Sequence, residues 1–209
     1  EALDSGSLSG GCNTAIGSYA LTTNTSGIRN TAVGEYAGAA ITTGSSNVAI
    51  GSCALRTNTT ASNNVAIGRR ALDVNITGAD NTAIGFVSLY ANTASNNTAV
   101  GSCSLTDNTT GAANVAVGRC ALATNTTGAN NTAMGYQSLL ANTTGTRNTA
   151  IGGRCSLGAN ISGNDNTAIG YDSLKSNTTA ANNTAIGKDT LYANTTGTEN
   201  VAVGKGALD

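Results

Sequence analysis

Residues 114–130 read NVAVGRCALATNTTGAN, and residues 131–147 read NTAMGYQSLLANTTGTR. Both segments begin with the pentapeptide Asn-(Thr/Val)-Ala-(Ile/Val/Met)-Gly, which occurs twelve times. The copies begin at Asn13, Asn30, Asn47, Asn64, Asn81, Asn97, Asn114, Asn131, Asn148, Asn166, Asn183 and Asn200. Successive copies are 17 residues apart, except for an interval of 16 after Asn81 and one of 18 after Asn148, where Gly153 is the extra residue. We number the positions of the repeat from 1, the asparagine, to 17.

This repeat length predicts the fold class. A unit of 17 residues is too short for a helical-hairpin repeat or a propeller blade, and it lacks the leucine and asparagine spacing of leucine-rich repeats. We expect an all-β chain that forms a parallel β-solenoid of about 12 coils of about 17 residues. One repeat domain is predicted over residues 1–209, with a partial leading repeat at 1–12 and twelve repeats at 13–209, the last of them truncated.

The pattern within each repeat predicts a core and two corners. Side chains alternate between the faces of a strand, so positions 2 and 4 share one face. Position 4 is always Ile, Val or Met, and we expect it to point inward against the leucine of position 9, which Gly38 replaces once. Glycine at position 5 predicts one corner, and the Asn-Thr-Thr-Gly segment at positions 12–15 predicts the other.

Position 12 carries a column of N-glycosylation sequons. The nine asparagines are Asn24, Asn58, Asn75, Asn108, Asn125, Asn142, Asn160, Asn177 and Asn194. They could form a ridge of N-linked glycans, or a ladder in which stacked side-chain amides hydrogen-bond between coils. Coils about 4.8 Å apart would crowd such glycans, and Asn92 continues the column without a sequon. Both points favour the ladder, and we expect the asparagine of position 1 to form a second ladder or a turn.

Four of the five cysteines share position 7, namely Cys53, Cys103, Cys120 and Cys155. Cys103 and Cys120 fall in adjacent coils, at a separation that a disulfide could bridge. An odd number of cysteines leaves at least one without a disulfide partner inside the chain. The sequence has no histidine and no close Cys-x-x-Cys pair, so we predict neither a metal site nor a cofactor.

Composition excludes several functional classes. Only 10% of residues are charged, the net charge is -1, and no basic cluster indicates a nucleic-acid partner. No apolar run is long enough to predict membrane insertion. Acidic residues occupy variable positions near the corners, and Asp172 and Asp189, which share position 7, are interpreted as a solvated edge. We therefore predict that the chain is not an enzyme.

The pentapeptide resembles the head repeats of YadA-type trimeric autotransporter adhesins, whose units carry a similar N-T-A-I-G sequence and form a left-handed parallel β-roll. Similar repeats occur in viral tail-fibre proteins. The resemblance runs from residue 13 to residue 204 through the pentapeptide, although the repeat here is longer than the adhesin head unit. It implies a structural or adhesive segment of a fibre that is extracellular, on a cell surface or on a virion surface. The fibre would self-associate by end-to-end stacking or as a trimer.

Two alternatives remain at this point. The chain could be a binding module whose outer positions, including Tyr19, Tyr36, Tyr136 and Tyr171, recognise a surface glycan or another host ligand. Ice binding is a further alternative, because regularly spaced threonine on a flat solenoid face suits that task. Position 2, however, changes between Thr and Val, without a strict Thr-x-Thr unit.

Overall fold

The computed structural model describes residues 10–209, which contain twelve β-strands and no helix. The strands are β1 (Thr14–Ile16), β2 (Thr31–Val33), β3 (Val48–Ile50), β4 (Val65–Ile67), β5 (Thr82–Ile84), β6 (Thr98–Val100), β7 (Val115–Val117), β8 (Thr132–Tyr136), β9 (Thr149–Arg154), β10 (Thr167–Ile169), β11 (Thr184–Ile186) and β12 (Val201–Val203). The chain divides into two compact units. Unit one ends at Ser102 and holds β1–β6, and unit two is Cys103–Asp209 and holds β7–β12.

Within each unit every strand pairs in parallel with the next strand along the chain. The register is set by the repeat: Thr31, Ala32 and Val33 of β2 lie opposite Val48, Ala49 and Ile50 of β3. The same register joins β11 to β12 in unit two. Each repeat therefore makes one coil with one strand, and like residues stack on like residues. The predicted parallel β-solenoid is confirmed.

The prediction that position 4 points inward is wrong. The alanine of position 3 is the buried residue of the strand, and Ala32, Ala83 and Ala116 have no exposed surface. The aliphatic residue of position 4 lies on the outer face, with 37% of Ile84 and 37% of Val117 exposed. Alternation explains the difference, because positions 1 and 3 share a face. Burying the hydrogen-bonded asparagine of position 1 carries the alanine inward and turns position 4 outward.

Leucine at position 9 is buried, as predicted, except at Leu208 in the last repeat, where 64% of the residue is exposed. Leu55, Leu105 and Leu174 have no exposed surface, and their φ angles lie between 48° and 50°. The left-handed conformation costs a residue other than glycine roughly 1–2 kcal/mol, whereas burying a leucine side chain gains about 2 kcal/mol. Burial therefore offsets the backbone cost, and the turn that follows the strand aims one large side chain into a narrow core.

Glycine at position 5 makes the predicted corner. Its φ is +128° at Gly51 and +132° at Gly118, a region that side-chain-bearing residues rarely adopt. A Cβ built on Gly51 would lie 2.7 Å from the carbonyl carbon and oxygen of Gly68 in the next coil. Positive φ and close backbone approach both require glycine here.

Outside the strands, the coils remain joined by backbone hydrogen bonds. The N–H of Leu55 donates to the carbonyl of Ala71 in the following coil at 3.0 Å, and that of Cys53 donates to Glu35 in the preceding coil at 2.8 Å. The turn segments are therefore stacked in the same register as the strands. Strands of three residues are enough to hold neighbouring coils together, because the turn segments add further backbone hydrogen bonds between the coils.

The repeat is interrupted at two points where the fold adapts locally. Gly153 adds a residue to β9, so the pairing between β8 and β9 shifts after Met134 and resumes at Tyr136 opposite Arg154. In the second repeat, position 9 is Gly38 and position 12 is Ile41 instead of asparagine. Ile41 is buried at 1% exposure, and a Cβ on Gly38 would lie 2.9 Å from its Cδ1. Ile41 thus fills the core volume that leucine occupies elsewhere.

Candidate interaction surfaces

The asparagine of position 1 forms a ladder inside the coils. The Oδ1 of Asn131 accepts hydrogen bonds from the backbone N–H of Asn148 at 3.0 Å and from its Nδ2 at 3.2 Å. The Nδ2 of Asn131 donates to the carbonyl of Gly145 at 2.8 Å, which ties the strand to the end of its own coil. Each amide therefore closes one coil and binds the next. The predicted ladder at this position is confirmed.

The nine sequon asparagines of position 12 also lie in the interior. Eight of them have no exposed surface, and Asn194 is half-buried. In unit two, the Nδ2 of Asn142 donates to the Oδ1 of Asn125 at 2.7 Å and to the carbonyl of Gly145 at 3.1 Å. A side-chain amide has two N–H donors, so both are engaged at Asn142. The geometry supports the ladder interpretation of this column in unit two, because a glycan would replace one of those hydrogens. In unit one, Asn58 and Asn75 donate to carbonyls of their own coils, Ala61 at 2.9 Å and Gly78 at 2.7 Å.

Three further sequons lie at position 17, where we had not expected them. Each reads Asn-Asn-Thr and overlaps the start of the next repeat, at Asn96, Asn130 and Asn182. All three asparagines are exposed and adopt a left-handed corner conformation, with φ between 59° and 64°. Sequence reasoning missed them because it searched the column of position 12. A search of the whole chain for the three-residue sequon would have found them.

The structure brings Cys103 and Cys120 together in unit two. Cys120 is a thiol, and burial followed by the charge and hydrogen bonding of Cys103 raises its pKa above the ordinary cysteine value. Cys53 and Cys155 are half-buried, and Cys12 is exposed. Adjacent cysteines at position 7 therefore form a thiol pair between neighbouring coils, and a disulfide between them remains a prediction.

The outer face of the strands carries columns of aliphatic and threonine side chains. Positions 2 and 4 both point outward, so each coil presents Thr or Val beside Ile, Val or Met. In unit two the position-4 side chains are 36% to 40% exposed from Val117 to Ile186, and 66% of Val203 is exposed. The two columns contain no charged residue. Contiguous exposed apolar surface of this kind is typical of protein interaction sites.

The tyrosines named in the sequence analysis fall into two arrangements. Tyr19 and Tyr36 occupy position 7 of unit one and stack with ring centroids 4.8 Å apart and planes 8° apart. Tyr136 and Tyr171 occupy position 6 of unit two, and each contacts a cation. Tyr19 and Tyr36 therefore stack on each other, whereas Tyr136 and Tyr171 each pack against a cation.

Acidic residues are paired with cations on the side of the coils. The carboxylate of Asp73 has no exposed surface and binds Arg56 at 2.8 Å and Arg70 at 3.0 Å. Asp172 binds Lys175 at 3.0 Å, and Asp189 binds Lys188 at 2.8 Å. Sequence reasoning missed the buried Asp73, although Arg56 precedes it by one repeat at the same position.

Residues 10–209 include no group of three or more His, Cys, Asp or Glu side chains placed to hold a metal ion. Over the same residues neither unit contains a pocket. No helix in this described part of the chain is long and apolar enough to cross a membrane. Comparisons with protein families, curated proteins and solved structures give no match for this chain.

Proposed function

We propose that the chain is a non-catalytic structural and adhesive segment of an extracellular, cell-surface or virion-surface fibre. One observation carries this proposal: the outer strand face bears stacked aliphatic side chains and no charge within either unit. A solenoid gains stability by adding coils, and an exposed apolar face gives such chains a surface for lateral association. The resemblance of the pentapeptide to adhesin head and tail-fibre repeats supports the same proposal.

Self-association is the property that tests the proposal. Sedimentation velocity and negative-stain electron microscopy of the purified chain should show trimers, stacked particles or filaments. Replacing Val117, Ile151 and Ile186 with lysine places charge on the outer face of unit two without entering the core, and we expect this variant to sediment as a monomer. A fully monomeric wild-type chain at micromolar concentrations would contradict the proposal.

A matched control separates the strand face from surface charge in general. Lysine in place of Asn130, Asn182 and Thr198 adds the same charge at positions 16 and 17 of unit two. All three residues are exposed. We expect this control to associate like wild type. If both triple variants dissociate to the same extent, net charge and not the strand face controls assembly.

A further inference from the structure

One side of unit two carries an uninterrupted row of cations and tyrosines at position 6. Its members are Arg119, Tyr136, Arg154, Tyr171, Lys188 and Lys205. All six are exposed. Successive members belong to successive coils, so their backbones are about 4.8 Å apart. Position 6 of unit one holds Ser18, Glu35, Ser52, Arg69, Phe86 and Ser102, and has no comparable row.

The tyrosines hold the cations of the row in place. Arg119 Nη1 donates to the hydroxyl of Tyr136 at 3.4 Å, and its Cζ lies 5.8 Å from the ring centroid. Arg154 Nη1 donates to the hydroxyl of Tyr171 at 3.2 Å, and Lys188 Nζ lies 5.6 Å from the centroid of the same ring. These contacts restrict the long side chains before any ligand arrives, which lowers the entropy cost of binding.

The guanidinium groups of Arg119 and Arg154 keep N–H donors that can bind an anion. A guanidinium has five N–H donors, and a tyrosine hydroxyl engages one donor of Arg119 and one of Arg154. Arg154 also interacts with the Cys155 side chain and is attracted by the Asp172 carboxylate. Among residues 10–209 neither arginine is in a salt bridge, whereas Asp172 binds Lys175 and Asp189 binds Lys188. The remaining donors of both arginines suit the paired oxygens of carboxylate or sulfate groups.

We propose that this row binds a linear anionic polysaccharide whose carboxylate or sulfate groups contact Arg119 and Arg154. The two arginines are spaced by two coils, about 10 Å, along the exposed side of unit two. An extended sugar chain with one acidic group on every second residue can follow such a line without needing a pocket. The inference rests on the adhesive part of the proposed function and names the chemistry of its ligand.

Nucleic acid fits the row less well. Single strands are bound mainly by stacking bases on free aromatic faces in a strongly basic groove. Here cations lie over the rings of Tyr136 and Tyr171, so these faces are not free to stack on bases. Phosphates also follow one another much more closely than the arginines do. The row presents well-separated anion sites in place of a continuous basic track.

The test measures binding of the full chain to immobilised heparin, hyaluronan, neutral dextran and a single-stranded DNA oligonucleotide by biolayer interferometry. We expect binding to heparin or hyaluronan that weakens with added salt, and none to dextran. Replacing both Arg119 and Arg154 with glutamine should weaken that binding at least about tenfold, because each removes a charge-assisted contact. The control variant replaces Arg29 and Arg147, both exposed at position 17, with glutamine and should change the affinity less than about twofold.

Three results would overturn the inference. The two double variants could weaken polysaccharide binding equally, the chain could bind DNA more tightly than both anionic polysaccharides, or it could bind neither polysaccharide. Thermal unfolding of each variant checks that the fold is retained. If the position-6 double variant unfolds, replacing Tyr136 and Tyr171 with phenylalanine tests the row with milder changes and should weaken binding by removing the hydroxyls that orient the arginines. Binding by single chains is independent of assembly, so a failure here is distinguishable from a failure of the fibre proposal.

Discussion

At position 5 of the repeat there is no room for a Cβ atom, so only glycine fits. A Cβ on Gly118 would lie 2.5 Å from the carbonyl oxygen of Gly135, and the residue has a φ of +132°. Both the contact and the backbone conformation oppose any side chain. Gly153 in the same unit differs, because a Cβ there would meet no atom within 4 Å.

Replacing Gly118 with alanine should therefore destabilise the chain by at least about 2 kcal/mol, through backbone strain and overpacking together. Chemical denaturation followed by circular dichroism measures the change. The Gly153→Ala variant is the control, and we expect a change within about 0.5 kcal/mol. Equal destabilisation by the two variants would show that close approach between coils is not the reason for glycine at position 5.

Gly38 and Ile41 exchange roles within one coil. In the single variant Gly38→Leu, the new side chain would collide with Ile41, because a Cβ added to residue 38 would already lie 2.9 Å from the Cδ1 of Ile41. The single variant Ile41→Asn would leave part of the core empty. We expect each single variant to lose roughly 1–3 kcal/mol, and the Gly38→Leu, Ile41→Asn double variant to recover most of that loss.

A double-mutant cycle measures this coupling from the denaturation midpoints of the four chains. A coupling energy below about 0.5 kcal/mol would mean that the two positions act independently, contrary to the packing seen in the structure. The pair is visible in the sequence as two departures from the repeat in the same coil. Their compensation is visible only in the structure, because it depends on Ile41 reaching the space beside Gly38.

At the scale of the strand, the facing of the side chains is the property that sequence reasoning predicted incorrectly. Hydrophobicity favoured Ile and Val at position 4 as the core, since alanine buries little apolar surface. The buried amide ladders outweigh that preference, because positions 1 and 3 share a face and an unpaired buried amide is costly. Asn at position 1 and Ala at position 3 occur in all twelve repeats, and this invariance was the available signal.

Strand β7 offers a direct test of this facing. Ala116→Val adds volume to a residue without exposed surface and should cost about 1–3 kcal/mol. Val117→Thr changes a side chain on the outer face and should cost less than about 0.5 kcal/mol. Denaturant midpoints of both variants give the comparison. A larger loss for Val117→Thr than for Ala116→Val would show that position 4 is the core side after all.

At the scale of the whole molecule, accessibility divides the sequons into two groups. The nine asparagines of position 12 lie inside the coils or half inside, whereas Asn96, Asn130 and Asn182 are exposed at corners. Secreted from a host that performs N-glycosylation, the folded chain should carry glycans at no site other than these three. A modified Asn142 would have to give up its bond to Asn125 or to Gly145.

Intact mass spectrometry with peptide mapping checks this expectation. The bare chain has a mass of 20.5 kDa, and we expect at most three glycan additions above it. Replacing Asn96, Asn130 and Asn182 with glutamine should return the mass to that of the bare chain, after allowing for the substitutions. Glycans mapped to position 12 on protein that retains its fold would contradict the buried ladder.

The amino-acid sequence by itself determined the repeat, its length, the parallel solenoid, the glycine corner and the buried leucine. These properties follow from local periodicity, since every copy must place the same residue at the same point of a coil. Only the tertiary structure decided which strand face is inside, how Ile41 compensates for Gly38, and that cations and tyrosines of unit two form a row. Those properties depend on contacts between neighbouring coils, where amide pairing, close backbone approach and side-chain reach act together across residues that are far apart in sequence.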